Sequence, residues 1–184
     1  MSIYSDRELS LMNELENGDL FEFKEWPNDA IPPVAAGLYA VWEDQDFIYI
    51  GMSGRGMSST EIEAPDEPKK PKGLVNRLKS HWDGRRSGDQ FCVYVCDRLV
   101  VPVLNPEQQR LIGDDELSLD ILTQDHIHAH FSYRYAQTTN GSEALTLEAK
   151  IQKYGLPSGK KPFLNPYKPR VSKPRKGSSQ AKTD

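Results

Sequence analysis

The 184-residue chain carries 23 lysines and arginines against 27 aspartates and glutamates, a net charge of -4, with 37% hydrophobic and 27% charged residues. That length supports one domain with extensions and a real core. No apolar run approaches membrane-spanning length, the start Met1-Ser2-Ile3-Tyr4-Ser5-Asp6 has neither the basic nor the apolar part of a signal peptide, and two cysteines, Cys92 and Cys96, exclude a disulfide framework. A soluble protein of a reducing, cytoplasmic compartment is expected, without a membrane. The net charge hides an asymmetry. The first thirty residues are acidic, whereas Lys69 to Arg86 and the C-terminal end are basic. A basic patch beside a site suits a polyanionic partner, and it equally describes a solvated charged face.

Ser5 to Glu16 is expected to be a helix, with Ser5 and Glu8 spaced as a capping box, Leu9, Met12 and Leu15 as an apolar stripe with Leu11 beside it, and Asn17-Gly18 as the stop. Leu20 to Trp26 alternates in part like a short strand. Pro27, Pro32 and Pro33 then break regular structure ahead of two strand-forming runs, Leu38 to Trp42 and Phe47 to Ile50, joined by the polar link Glu43-Asp44-Gln45-Asp46. This predicts a hairpin carrying Tyr39 and Tyr49. Placing both phenols on one face requires an odd loop of about three residues, with room for a bulge, because an even loop puts them on opposite faces. We expect the same face.

From Ser53 to Pro71 the chain is polar and proline-rich, as an exposed loop would be; its glycines do not complete a phosphate-binding G-x-x-x-x-G-K-[ST] string. Gly73 to Arg85 is a predicted helix buried along Leu74, Leu78 and Trp82, with Arg77 and His81 one turn apart on its flank. Two such side chains could reach one phosphate, or be an exposed arginine and a histidine packed on Trp82. Phe91 to Val103 is expected to be a long strand, with Cys92 and Cys96 as small buried residues. Asn105-Pro106-Glu107 is a fair helix start. His126, His128 and His130 alternate with Ile127, Ala129 and Phe131 in a predicted strand reaching Ala136. Imidazoles at period two share a face, as a zinc site would need, but neighbours roughly 6 to 7 Å apart are too far for one ion unless the strand bends, which favours a half-exposed strand face. Asn140 and Glu143 are spaced as a capping box for a helix buried along Ala144, Leu147, Ile151 and Tyr154 and ended by Gly155. Glu148 borders that stripe, where a carboxylate is costly unless paired or bound to a cation. Phe163-Leu164 is expected to pack back on the domain just before Asn165, and a disordered basic tail is expected from Lys168.

Taken in order, Gly37-Leu38-Tyr39, Tyr49-Ile50-Gly51, Arg77 with His81, Glu148 and Asn165 resemble the GIY-YIG nuclease family over about residues 34 to 167. The resemblance implies an α/β (α+β) fold: a small central, mainly antiparallel β-sheet flanked by helices, here with an extra N-terminal helix and strand and inserted loops. It divides the chain into an acidic extension (1–30), a catalytic domain (31–167) and a basic tail (168–184). It further implies a DNA endonuclease with one divalent cation, Mg2+ or Mn2+, held by Glu148, with Tyr39, Tyr49, Arg77, His81 and Asn165 completing the catalytic set. In that scheme Arg77 counters developing charge, Tyr39 takes a proton from water, Tyr49 orients water or phosphate, His81 assists proton transfer, and Asn165 holds the phosphate or the local geometry. Arg55, Lys79, Arg85 and Arg86 are candidate contacts to nucleic acid, Arg55 standing in for the basic residue that often follows the second triplet and is replaced here by Met52. The alternative is a nucleic-acid-binding module on the same fold with little or no catalysis.

Overall fold

The computed structural model describes residues 3–63 and 70–165; the expected basic tail and the turn at Pro166 lie outside them. The elements run α1 (Asp6–Asn17), β1 (Phe21–Glu22), β2 (Val34–Ala35), β3 (Gly37–Glu43), β4 (Asp46–Ser53), α2 (Ser59–Glu63), β5 (Lys72–Gly73), α3 (Leu74–Trp82), α4 (Gln90–Val95), α5 (Pro106–Gly113), α6 (Leu119–His130), β6 (Ser132–Gln137) and α7 (Gly141–Tyr154). Strands β1-β6-β3-β4 form one sheet in that order, every pair antiparallel, and β2 and β5 make a separate parallel pair. The architecture is mixed α/β, helices packed on a small antiparallel sheet.

The central strand β3 explains the layering. Successive side chains alternate sides, and Leu38 to Trp42 are all buried, so both faces must be covered. Tyr39 and Val41 enter one core with Leu74, Leu78, Phe91, Cys92, Val95 and Ile127. Leu38, Ala40 and Trp42 enter the other, with Leu11, Met12 and Leu15 from α1 and Ala144, Leu147 and Ile151 from α7. The acidic N-terminal helix thus supplies part of a core. Its expected start is present: Ser5 accepts from the Glu8 N–H while Glu8 accepts from the Ser5 N–H.

Several local features differ from those expected. The hairpin turn holds two residues, Asp44 and Gln45, because Glu43 pairs with Asp46; a bulge after Val41 then shifts the register so that Val41 faces Tyr49. An even loop plus one extra residue has the parity of an odd loop, and both phenols lie on one face as expected.

Phe91 to Val103 is helical, not a strand. Asp89 caps α4 by accepting from the Phe91 and Cys92 N–H groups, and the helix continues through a π turn at Cys96–Val100 and a 3-10 turn at Val101–Val103. Buried Phe91, Cys92, Val95 and Cys96 recur at helical spacing, so packing overrides the strand preference of the valines and Tyr94.

His126 to His130 is also helical. Ser118 caps α6, and the buried Thr123 and Ile127 lie one turn apart. The alternation of histidine with apolar residues therefore carried no strand, and β6 begins only at Ser132. The three imidazoles share no face. His126 and His130 stack one turn apart with ring centres at 4.6 Å, whereas His128 stacks on Trp82 at 5.3 Å and bonds the Trp82 carbonyl.

The Ser53–Pro71 stretch is not uniformly exposed: Met57 is buried and α2 forms within it. At the start of α7, Asn140 caps as expected, but Glu143 reaches back to the N–H of Thr139, so the box is incomplete, and Tyr154 is largely exposed.

The outer edge of β4 is closed by residues far along the chain. The N–H groups of Phe163 and Leu164 donate to the carbonyls of Phe47 and Ile48. Buried Asn165 then acts as one rung of a strand. Its Oδ1 accepts from the Ile50 N–H at 3.2 Å and its Nδ2 donates to the Ile50 carbonyl at 2.7 Å. Asn165→Ala leaves both Ile50 groups unmatched, and we expect it to lower stability by about 2–4 kcal/mol, measured by denaturant unfolding.

Candidate active site

Tyr39 is set by glycines on either side of it. A Cβ at Gly51, which pairs with Tyr39 across the hairpin, would fall inside contact distance of the phenol oxygen. A Cβ at Gly37 would meet the Ala136 carbonyl and the Leu74 side chain. Each is glycine because neighbours occupy the side-chain volume. Gly51→Ala should therefore displace the Tyr39 ring; we expect at least a 100-fold loss of any activity that needs this phenol, with about 1–3 kcal/mol of destabilisation, read by rate and melting curve.

The Tyr39 hydroxyl lies 2.7 Å from His81 Nε2, and His81 Nδ1 lies 2.6 Å from Asp89 Oδ2. His81 is thus fully inside the fold, contrary to its expected place on the flank of α3, while Trp82, expected in the buried stripe, is only half-buried. Asp89 Oδ2 also accepts from Ser80 Oγ, and its Oδ1 accepts the two N–H groups that begin α4. Burial alone would raise the Asp89 carboxyl, but the hydrogen bond and attraction of the His81 ring, with the hydrogen bonds from Cys92 and Ser80, outweigh it and hold it below the usual carboxylate range.

Tyr49 packs beside Tyr39 with ring centres 6.3 Å apart and against Phe91. Burial pushes both phenols above their ordinary values; Glu148 and Asp89 push in the same direction, and Arg77 opposes them. Phenolate at rest is therefore disfavoured at either tyrosine.

Glu148 projects from α7 at the end of β4 and accepts from the Met52 N–H. Burial raises its carboxyl to about 7 despite Arg55, that hydrogen bond and Arg77, all of which lower it. Exposed Arg77 from α3 and exposed Arg55 after β4 complete the rim of a cleft of about 390 Å3 that also contains Tyr39, Tyr49, His81, Asp89 and Glu148. The cleft adjoins a second one, lined in part by Arg55, Arg77 and Lys72.

Five of the six expected catalytic residues therefore meet in one cleft. Asn165 does not line it: both ends of its amide are spent on Ile50, so it holds the geometry of β4. Of the expected nucleic-acid contacts, Arg55 lines the cleft, Lys79 is paired with Asp83, Arg86 is paired with Asp120, and Arg85 is exposed outside the cleft.

Among the described residues, two side-chain groups at the cleft could be asked to hold a cation. His81, Asp89 and buried Cys92 bring ligand atoms within 4.8 Å of one another. His81 Nδ1 and Asp89 Oδ2 are already committed to each other, the Cys92 thiol donates to the His81 backbone carbonyl, and burial pushes that thiol up, away from the thiolate that ligation needs. Glu148 fits better: a carboxylate held near neutrality by burial and open to the cleft offers the hard oxygen that Mg2+ or Mn2+ takes, alongside waters and phosphate oxygens.

Asp89 and Ser80 belong to the hydrogen-bond network behind the cleft, and sequence reasoning missed both. The available signal was an aspartate standing where a helix N-cap would stand, and the strand expected from Phe91 concealed it. No family model, no curated protein and no solved structure matches the chain. No helix among the described residues is long and apolar enough to cross a membrane.

Proposed function

We propose that the chain is a divalent-metal-dependent endonuclease that hydrolyses DNA phosphodiester bonds in the Tyr39–Glu148 cleft, on a GIY-YIG-like arrangement. The observation that carries this reading is the convergence of Tyr39, Tyr49, Arg77, His81 and Glu148, from four separate elements, on one cleft. Glu148 would hold Mg2+ or Mn2+, which would supply Lewis-acid stabilisation of the negative charge that develops on the phosphate.

The chain's own groups do the rest. Arg77, exposed at the cleft and free to approach a phosphate, counters negative charge in the transition state. Because burial opposes a standing phenolate, Tyr39 works by relay: its oxygen accepts a proton from the attacking water as its own proton passes to His81 Nε2. The water oxygen bonds to phosphorus, the P–O3' bond breaks, and the departing oxygen takes a proton from solvent. Tyr49 flanks Tyr39 and orients water or phosphate. Arg55 and the adjoining cleft extend the positive rim along the path of a polyanionic strand.

Five such residues in one cleft favour an enzyme over a binding module. The test is purified protein with supercoiled plasmid and Mg2+ or Mn2+, beside the Glu148→Ala variant. Nicking by the native chain and not by the variant is expected. Cleavage that survives the substitution overturns the mechanism, and no cleavage of plasmid, branched DNA, single-stranded DNA or RNA favours the binding module.

A further inference from the structure

Among the described residues, Asp89 is the one buried aspartate or glutamate, and nothing in the motif spacing singles it out. We propose that Asp89 is a positioning residue: it fixes the His81 tautomer that leaves Nε2 ready to take the Tyr39 proton. This rests on the nuclease reading of the cleft for its catalytic meaning, and on geometry alone for the tautomer.

The reasoning follows donors and acceptors. Asp89 Oδ1 accepts the Phe91 N–H at 3.0 Å and the Cys92 N–H at 3.3 Å, so an oxygen must stand there. An ionised carboxylate only accepts, so the contact of 2.6 Å between Oδ2 and His81 requires hydrogen on Nδ1. A neutral imidazole with hydrogen on Nδ1 has a bare Nε2, and the Tyr39 hydroxyl 2.7 Å away must then be the donor. The cap of α4 thereby sets the direction of every proton from the helix to the cleft. As the Tyr39 proton moves to Nε2, the imidazole becomes a cation directly against the Asp89 carboxylate, which stabilises it.

The groups facing this imidazole are few. Tyr39 and Tyr49 come from β3 and β4, and Asp89 and Ser80 lie on its far side. Cys92 of α4 contacts the His81 carbonyl, and its thiol is pushed up by burial and stays neutral. Arg77 from the same helix and Glu148 from α7 share the cleft. His128 of α6, also packed on α3, is directed at the Trp82 carbonyl instead.

Asp89→Asn tests the assignment without removing the cap. The two backbone N–H groups hold the amide oxygen, so the amide nitrogen faces His81, donates to Nδ1 and drives the imidazole hydrogen to Nε2. Nitrogen-15 NMR of the full chain should find His81 with hydrogen on Nδ1 in the native protein and on Nε2 in the variant. Plasmid cleavage by the variant should show kcat lower by about 10²–10⁴-fold with KM little changed, and a rate that climbs with pH as Tyr39 ionises instead of levelling off. A native His81 carrying its hydrogen on Nε2 overturns the proposal, as does a variant with native kcat and a native pH profile. If the native chain cleaves no nucleic acid, the nuclease reading fails, and the tautomer measurement still decides the role of Asp89.

Discussion

Glu148→Gln is expected to abolish metal-dependent cleavage, by about 10³-fold or more, while making the metal-free protein more stable at pH 8 than the native chain. Both effects have one source. The Glu148 carboxyl is raised from an ordinary 4.5 to about 7 in the folded state, chiefly by burial. The folded chain therefore holds this proton more tightly than the unfolded chain does. The associated stability is complete below about pH 4.5 and is lost as pH rises through 7, up to about 3 kcal/mol by pH 8. Glutamine cannot ionise and carries none of that loss. Added Mg2+ or Mn2+ should restore the native protein at pH 8 and leave the variant unchanged, and below pH 7 the proton should compete with the cation. Denaturant unfolding of both proteins at pH 5 and pH 8, with and without cation, measures this directly. A native stability that is flat with pH, or equal responses of the two proteins to Mg2+, would remove Glu148 as the cation's ligand.

Tyr39→Phe is expected to lower the cleavage rate by about 10²–10⁴-fold and to cost about 1–3 kcal/mol of stability. The activity should fall because in the proposed relay the hydroxyl, 2.7 Å from His81 Nε2, is the group that takes the proton from the attacking water. The stability falls because a buried imidazole nitrogen is left without a donor. Tyr49→Phe should be milder in stability, since among the described residues the Tyr49 hydroxyl has no such bond and its ring contacts with Tyr39 and Phe91 persist. Single-turnover cleavage rates and melting curves of the two variants separate these roles. Cleavage by Tyr39→Phe within threefold of native would place the proton relay elsewhere.

Features written in short-range chemistry were legible from the sequence. The capping box at Ser5 and Glu8, the Asn105 cap of α5 and the Arg77–His81 turn each depend on residues a few positions apart, and the same-face parity of Tyr39 and Tyr49 is set within one hairpin. Tertiary packing decided the rest. Valine and tyrosine in Phe91–Val95, and the alternating histidines of α6, have local preferences that fit a strand, and only burial against α3 and the sheet makes them helical. Arg86 offered itself as a phosphate contact until Asp120, 34 residues on, claimed it. The depth of His81 is hidden for a related reason: its partner Asp89 caps a helix whose residues locally favour a strand, so nothing local announces that a polar ring is buried and satisfied there.

The Asn165 rung on β4 also bears on how copies of the chain treat one another. An uncovered strand edge is a row of free donors and acceptors onto which another sheet can add. Along β4 those positions are taken in turn by Phe163, Leu164, the Asn165 amide and, at Met52, the Glu148 carboxylate. The same carboxylate that faces the cleft thus finishes the fence against self-association. Loosening Asn165 would free the middle of that rim and expose a template for edge-to-edge pairing, so concentration-dependent assembly is the form in which this part of the fold should fail.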